Sequence, residues 1–237
     1  MEILSGNDLG YYYKDGEDKR VIFDGVNVSF EEGRMYVLLG ESGSGKTTFL
    51  SIIGGQDKRY TGTVKYMGKD IKDIGLDKYR RTAVSTIYQN YNLFTYLNSI
   101  ENIELAMDIS ENVRKPDKQA IIRTLDKLGI DEKKAKRNTS LLSGGEQQRV
   151  AIARSIMTDS KIIIADEPTG NLDYKSADEV IRYLRQLADN GKCVIMVTHN
   201  EKYTEAADVV LRIDQEKKTI ISTSFSDLLF DTLISRV

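Results

Sequence analysis

Gly40-Glu41-Ser42-Gly43-Ser44-Gly45-Lys46-Thr47 concentrates glycines, small hydroxyls and a lysine in one short stretch. The spacing is that of G-x-x-x-x-G-K-[ST], a loop that wraps a phosphate chain. Glycines let the backbone curl until its N–H groups face one anion, and a helix starting at the loop's end adds its positive N-terminus. Lys46 is then placed to reach the β- and γ-phosphates, and the Thr47 hydroxyl to ligate Mg²⁺. The flanks agree: Met35 to Leu39 is a short apolar strand, and Thr48-Phe49-Leu50-Ser51-Ile52-Ile53 continues as a helix. A dinucleotide-binding loop fits less well, because Gly43-Ser44-Gly45 lacks the third glycine of that motif.

Ile162-Ile163-Ile164-Ala165-Asp166-Glu167 is an apolar strand that ends in two carboxylates. Strand ends of an open parallel sheet are where ligands sit. Asp166 is positioned to hold Mg²⁺, and Glu167 to orient or deprotonate an attacking water. In Leu142-Ser143-Gly144-Gly145-Glu146-Gln147-Gln148-Arg149, a hydroxyl and two glycines precede a helical face marked by Val150, Ala153 and Met157. Hydroxyl, backbone N–H groups and helix dipole converge there as a second anion site. One chain with two anion sites for one nucleotide invites sharing across a dimer.

The stretch Leu142–Arg149, shortly before Asp166-Glu167, resembles the signature motif of ATP-binding-cassette (ABC) ATPases, and the resemblance covers essentially the whole chain. It implies two cassettes paired head to tail around two ATP molecules with Mg²⁺. The phosphate loop of one subunit and the signature motif of the other close on the same nucleotide. The implied nucleotide contacts are Gly40, Ser42, Gly43, Ser44, Gly45, Lys46, Thr47 and Thr48, with Ser143, Gly144, Gly145 and Glu146. Asn171-Leu172-Asp173 resembles the D-loop that crosses the dimer interface. Tyr13 resembles the aromatic that stacks on adenine, with Tyr11 and Tyr12 as neighbouring alternatives. Gln89 resembles the Q-loop glutamine, which contacts Mg²⁺ and water and joins the core to a helical subdomain. His199, the only histidine, resembles the switch histidine that senses the γ-phosphate. The implied catalytic set is Lys46, Gln89, Glu167 and His199, and the implied metal set Thr47, Gln89 and Asp166. Glu41 stands where many members carry proline and Glu146 where glutamine is commoner; neither change removes a catalytic group.

Asp166-Glu167-Pro168-Thr169-Gly170-Asn171-Leu172-Asp173, with Ile52-Ile53-Gly54-Gly55-Gln56-Asp57 and a long connection from Tyr13 to Val21, is similar to one subgroup of these ATPases. It holds macrolide exporters, lipoprotein-releasing systems, antimicrobial-peptide resistance systems and the cell-division partner. The resemblance implies a separate membrane permease and export of, or resistance to, a peptide, antibiotic or lipid-type substrate. The alternative is a regulatory cassette that controls a membrane partner without transport. Cassettes that act on chromosomes carry a long coiled coil between the two halves of the site, and no sustained heptads separate the phosphate loop from Leu142–Arg149 here. Those on ribosomes carry two cassettes per chain, and this chain has one.

The elements that must position these residues follow from the apolar pattern. Val26, Val28 and Phe30 alternate with polar residues, and Thr61 to Tyr66 is β-rich. Ile121, Ile122, Leu125 and Leu128 recur at helical spacing after Pro116, with Gly129 as a stop. Val180, Leu184 and Leu187 mark a helix ending at Asn190-Gly191, before a second buried strand, Val194 to Val197; Val209 to Ile213 and Thr219 to Ile221 form a hairpin. Continuous apolar strands between amphipathic helices require a mostly parallel sheet covered on both faces. The expected fold is therefore α/β: a P-loop NTPase core that together with an N-terminal antiparallel β-subdomain takes up about 1–89 and 142–237, and a helical insertion (about 90–141). Just after Gln89, the apolar Tyr91, Leu93, Phe94, Tyr96 and Leu97 are candidates for a permease groove, or for the insertion's own core.

With 237 residues, 40% hydrophobic and 30% charged, the chain has an ordinary globular composition. The 34 basic residues against 36 acidic ones make no electrostatic case for nucleic acid as a partner. Lys133-Lys134-Ala135-Lys136-Arg137 reads as a solvated helix face. A lone Cys193 fits a reducing compartment. The first residues lack the basic and apolar regions of a signal peptide, and no apolar run approaches the roughly 18–20 residues of a membrane span. The expected location is cytoplasmic, peripheral on the inner face of the cell membrane through the permease.

Overall fold

The computed structural model describes residues 1–15, 18–112 and 117–224. Strands β1 (Glu2–Asp15) and β2 (Asp18–Glu31) pair antiparallel from end to end. The Tyr13-to-Val21 stretch, expected as a long connection, is instead the end of a hairpin whose residues 16–17 lie outside the described part. β1 is interrupted by register shifts, and Asp8 sits there at φ 52°. Such irregularities break the period-2 pattern of a strand, which hides residues 2–10 from a reading by alternation.

β3 (Met35–Leu39) leads into the phosphate loop and α1 (Lys46–Ile53). β4 (Thr61–Tyr66) and the short β5 (Lys69–Asp70) complete an antiparallel sheet in the order β2-β1-β4-β5. α2 (Ile71–Ile74) and α3 (Leu76–Thr82) then feed β6 (Val84–Tyr88), an element the sequence reading did not register. The helical stretch holds α4 (Ser99–Ile109), α5 (Lys118–Lys127) and α6 (Glu132–Ala135). Asn98 and Glu101 form a capping box on α4, and Gly129 takes φ 79° just past α5, as a stop requires.

α7 (Gly144–Met157), β7 (Ile162–Asp166), α8 (Tyr174–Asp189), β8 (Cys193–Thr198), β9 (Val209–Asp214) and β10 (Thr219–Ser224) follow. The larger sheet runs β10-β9-β3-β8-β7-β6; all its pairs are parallel except the β9–β10 hairpin at the edge. Successive residues of β3 enter opposite apolar layers. Met35, Val37 and Leu39 join Val194 and Met196 under α4, α5, α7 and α8. Tyr36 and Leu38 join Ile195 and Val197 against α1 and the antiparallel sheet. Each such side chain contributes about 1.5–3 kcal/mol when fully buried, so the register of these strands is strongly specified. The order β3-β8-β7-β6 then sets the phosphate loop, Thr198-His199, Asp166-Glu167 and Gln89 side by side at the carboxyl ends of four adjacent strands.

Candidate nucleotide site

The phosphate loop folds on itself. Gly43 and Gly45 adopt φ 78° and 103°, the left-handed region that glycine enters without strain. Lys46 is buried, and its Nζ donates to the Gly40 carbonyl at 2.6 Å and the Glu41 carbonyl at 2.8 Å. That holds the ammonium at the loop until stronger acceptors arrive. A Cβ at Gly40 would fall 2.6 Å from Ser44 Oγ, and one at Gly45 would fall 2.4 Å from Ile22 Cγ2. The first glycine admits the serine; the second admits β2.

Facing the loop, Asp166 ends β7. Burial pushes its carboxyl up, a hydrogen bond with Thr47 and the charge of Lys46 pull it back, and Glu167 adds repulsion. Its Oδ1 is buried without a partner, as is Ser44 Oγ. Glu167 takes φ 45°, a strained conformation for a non-glycine residue. Its N–H donates to the Val197 carbonyl at 3.1 Å, and both carboxylate oxygens lie 3.1 Å from His199 Nδ1. Gln89 follows β6, its carboxamide 3.5 Å from Asn171 Oδ1, while Asn171 Nδ2 donates to the Gln89 carbonyl at 3.1 Å. Gly170 leaves room for this, since a Cβ there would sit 2.7 Å from Gln89 Nε2.

These groups bound an open cleft of about 560 Å³, lined by Tyr13, Ser42, Gly43, Gly45, Lys46, Thr47, Thr48, Gln89, Glu167 and His199 from the expected set. Gly40 and Asp166 do not line it directly but hold residues that do, Gly40 through Lys46 and Asp166 through Thr47, while Ser44 packs against Gly40. Of the three consecutive tyrosines, only Tyr13 lines it, with its hydroxyl 3.1 Å from Thr48 Oγ1. Tyr11 is buried and donates to Asp57 at 2.8 Å, and Tyr12 lies under Lys19.

The remaining expected residues gather elsewhere. Ser143, Gly144, Gly145, Glu146 and Asp173 do not line this cleft. Ser143 caps α7: its Oγ accepts from the Glu146 N–H at 3.3 Å, and Glu146 Oε2 accepts from the Ser143 N–H at 2.9 Å. The Ser143 hydroxyl proton is left to donate. Lys134, expected on a solvated face, pairs with Glu146 at 2.8 Å, and this bond leads the causes holding the Glu146 carboxyl low. Glu146 is thus engaged by its own helix cap. A Cβ at Gly145 would lie 2.8 Å from Ser176 Oγ, and Asp173 accepts from that hydroxyl at 2.7 Å. The signature residues and Asp173 therefore share a second cluster.

Some functional neighbours lay beyond sequence reasoning. Gln148 donates to the Pro168 carbonyl at 2.8 Å, tying α7 to the loop after Glu167. Arg154 donates to the carbonyls of Asn92 and Tyr91 at 2.6 and 3.0 Å, bracing the segment after Gln89. Arg20 and Ile22 line the cleft; the pairing of β1 with β2 was the signal that would have found them.

A family model described as "ABC transporter" matches residues 23–170. The uncharacterized ABC transporter ATP-binding protein YclH of Bacillus subtilis is 40% identical over 221 residues, spanning 93% of this chain and 97% of that protein. The macrolide export ATP-binding/permease protein MacB of Mannheimia succiniciproducens is 37% identical over 216 residues, 90% of this chain but 33% of MacB. The chain thus spans about a third of the length of that MacB protein. Among solved structures, the dimeric post-hydrolysis ATP-binding cassette MJ0796 bound to ADP and Pi superposes with a TM-score of 0.84 at 30% identity, over 94% of this chain and 98% of that one. Sequence family, relatives and fold agree, and the chain belongs to the ABC transporter family as one of its ATP-hydrolysing cassettes.

Proposed function

We propose that this cassette binds ATP with Mg²⁺, closes as a head-to-tail dimer, and powers a separate membrane permease for export of, or resistance to, a peptide, antibiotic or lipid-type substrate. The observation that carries the dimer is the separation of the signature cluster from the cleft on the same chain. A nucleotide in the cleft meets Ser143, Gly144 and Gly145 only when a second cassette supplies them. The dimeric relative and the permease fused in MacB support the same assembly.

The residues fit their roles. The orphaned Oδ1 of Asp166 beside the Thr47 hydroxyl is an oxygen donor set suited to a hard divalent cation, with Gln89 as a further ligand. Bound Mg²⁺ would supply neutralisation of charge on the β- and γ-phosphates. Lys46 exchanges two carbonyls for phosphate oxygens. Glu167 takes the proton of the attacking water, and His199 holds the Glu167 carboxylate from Nδ1. Tyr13 stacks on the base, anchored at Thr48.

Residues 90–141 are the helical subdomain, joined to the core at Gln89. Val150 and Ala153 of α7 share one apolar cluster with Ile100, Ile103, Ile121 and Leu125 of this subdomain and with Ile163 and Met196 of the core sheet, so α7 bridges the two. A second groove of about 460 Å³ runs along this joint, lined by Arg80, Tyr88, Phe94, Leu105 and Ile109 among others. It suits a short helix of the permease, an apolar anchor in a socket. Of the aromatic and apolar residues expected there, Phe94 lines it; Leu93 packs into the core and Tyr91 approaches Gly144. No helix among the described residues is long and apolar enough to cross a membrane.

Light scattering of the Glu167→Gln protein tests this reading. A dimer with ATP and Mg²⁺ and a monomer without them is the expected result. A monomer under conditions where ATP binding is measured directly would overturn it.

A further inference from the structure

We propose that Arg20 reads the edge of the purine that stacks on Tyr13, and that it favours guanine there beyond what stacking alone gives. The inference rests on the cleft being a nucleotide site. Arg20 stands directly opposite Tyr13 in the antiparallel register of β1 and β2. Opposed residues share one face of a sheet, with Cβ atoms about 4.5–5.5 Å apart. Ile22 lies two residues along the same strand, at the register shift opposite Tyr11 and Tyr12, and both it and Arg20 line the cleft beside Tyr13. The neighbouring Lys19 takes the opposite face, its Nζ 4.8 Å from the centre of the Tyr12 ring.

Two contacts fix the order along the cleft. Ile22 rests on the phosphate loop, since a Cβ at Gly45 would come within 2.4 Å of it. Arg20 lies one full pleat farther from the phosphates, about 6.5–7 Å along the strand. Tyr13 is anchored by its hydroxyl at Thr48, in the first turn of α1. The phosphates therefore end near Thr48, the base lies along the Tyr13 ring, and Arg20 flanks the base.

A guanidinium has five N–H donors and no acceptor. Guanine presents two acceptors, O6 and N7, on one edge and receives a bidentate fork; adenine presents a donor beside N7 and accepts one bond there. A donor-only side chain at this position thus favours guanine by a hydrogen bond.

Calorimetric titration of the full chain with ATP, GTP and tripolyphosphate, each with Mg²⁺, tests the assignment. The wild type is expected to bind GTP within about tenfold of ATP. Arg20→Gln is expected to weaken GTP about 5- to 100-fold, ATP by no more than about threefold, and tripolyphosphate not at all. Arg20→Lys, which keeps the charge and loses the fork, is expected to lose GTP in the same way. Equal weakening of all three ligands would place Arg20 on the phosphates and overturn the proposal, as would unchanged GTP binding in both variants. Tyr13→Ala separates this from failure of the underlying reading: if its loss leaves ATP and GTP binding unchanged, no base stacks there, whatever Arg20 does.

Discussion

Glu167 combines a strained backbone, a carboxylate held by the sole histidine and a place beside the phosphate loop. Its replacement by glutamine keeps the shape and removes the proposed base. ATP affinity is expected to stay within about threefold while turnover falls about 10²- to 10⁴-fold, measured by phosphate release. Lys46→Ala acts one step earlier: losing a charged donor to phosphate costs about 1.5–3 kcal/mol in ATP binding, read by titration. Asp166 gives a prediction of opposite sign for stability. Its carboxyl is raised by burial, so ionising it opposes folding. That penalty is full above its folded value and disappears as pH falls below the ordinary carboxylate range of about 4. Without nucleotide, Asp166→Asn is expected to stabilise the protein at pH 7 by about 1 kcal/mol, with the gain shrinking toward pH 4 in thermal melts, and to abolish Mg²⁺-dependent hydrolysis. These residues were legible because their chemistry demands neighbours in sequence. Gln148, Arg154 and Asn171 act on backbone or side-chain groups far along the chain, and no local pattern encodes those partners.

Elements, more than single residues, decide what the two clusters present. α7 begins at Ser143, whose side chain both caps the helix and keeps a proton to donate. Ser143→Ala is expected to cost about 1 kcal/mol in thermal stability and to weaken the ATP-bound dimer; a variant with unchanged dimerisation in light scattering would remove Ser143 from the interface. In the groove beside α4, Phe94 is exposed, so Phe94→Asp is expected to leave folding and basal hydrolysis intact and to abolish co-purification with the permease from membranes. Legibility varied by element for a physical reason. β3, β7 and β8 are buried on both faces and read as continuous apolar runs. β1 is bulged, and β6, with Ser85 and Thr86 at its centre, shows neither alternation nor a run. Contacts with Asp57, Lys19 and Thr48, none of them a sequence neighbour, separate Tyr11, Tyr12 and Tyr13, which is why three consecutive tyrosines could not be told apart.

For the whole molecule, the proposed dimer makes the four parallel strand ends half of one site and the face carrying Ser143 and Asp173 half of another. Mixed dimers test the arrangement. One Lys46→Ala chain paired with one Ser143→Arg chain concentrates both lesions in one composite site and leaves the other intact. The double variant paired with wild type damages both sites. The first pairing is expected to retain one ATP per dimer in the closed state and the second to retain less; the reverse order would mean that each chain builds its own site. The contact between His199 and Glu167 carries a further consequence. With one imidazole per chain, the proposed dimer holds two, one at each Glu167 carboxylate. In proton magnetic resonance, equivalent sites give one set of ring signals, and hydrolysis at one site before the other splits it into two. The order in which the two ATP molecules are consumed is therefore readable without attaching any label to the protein.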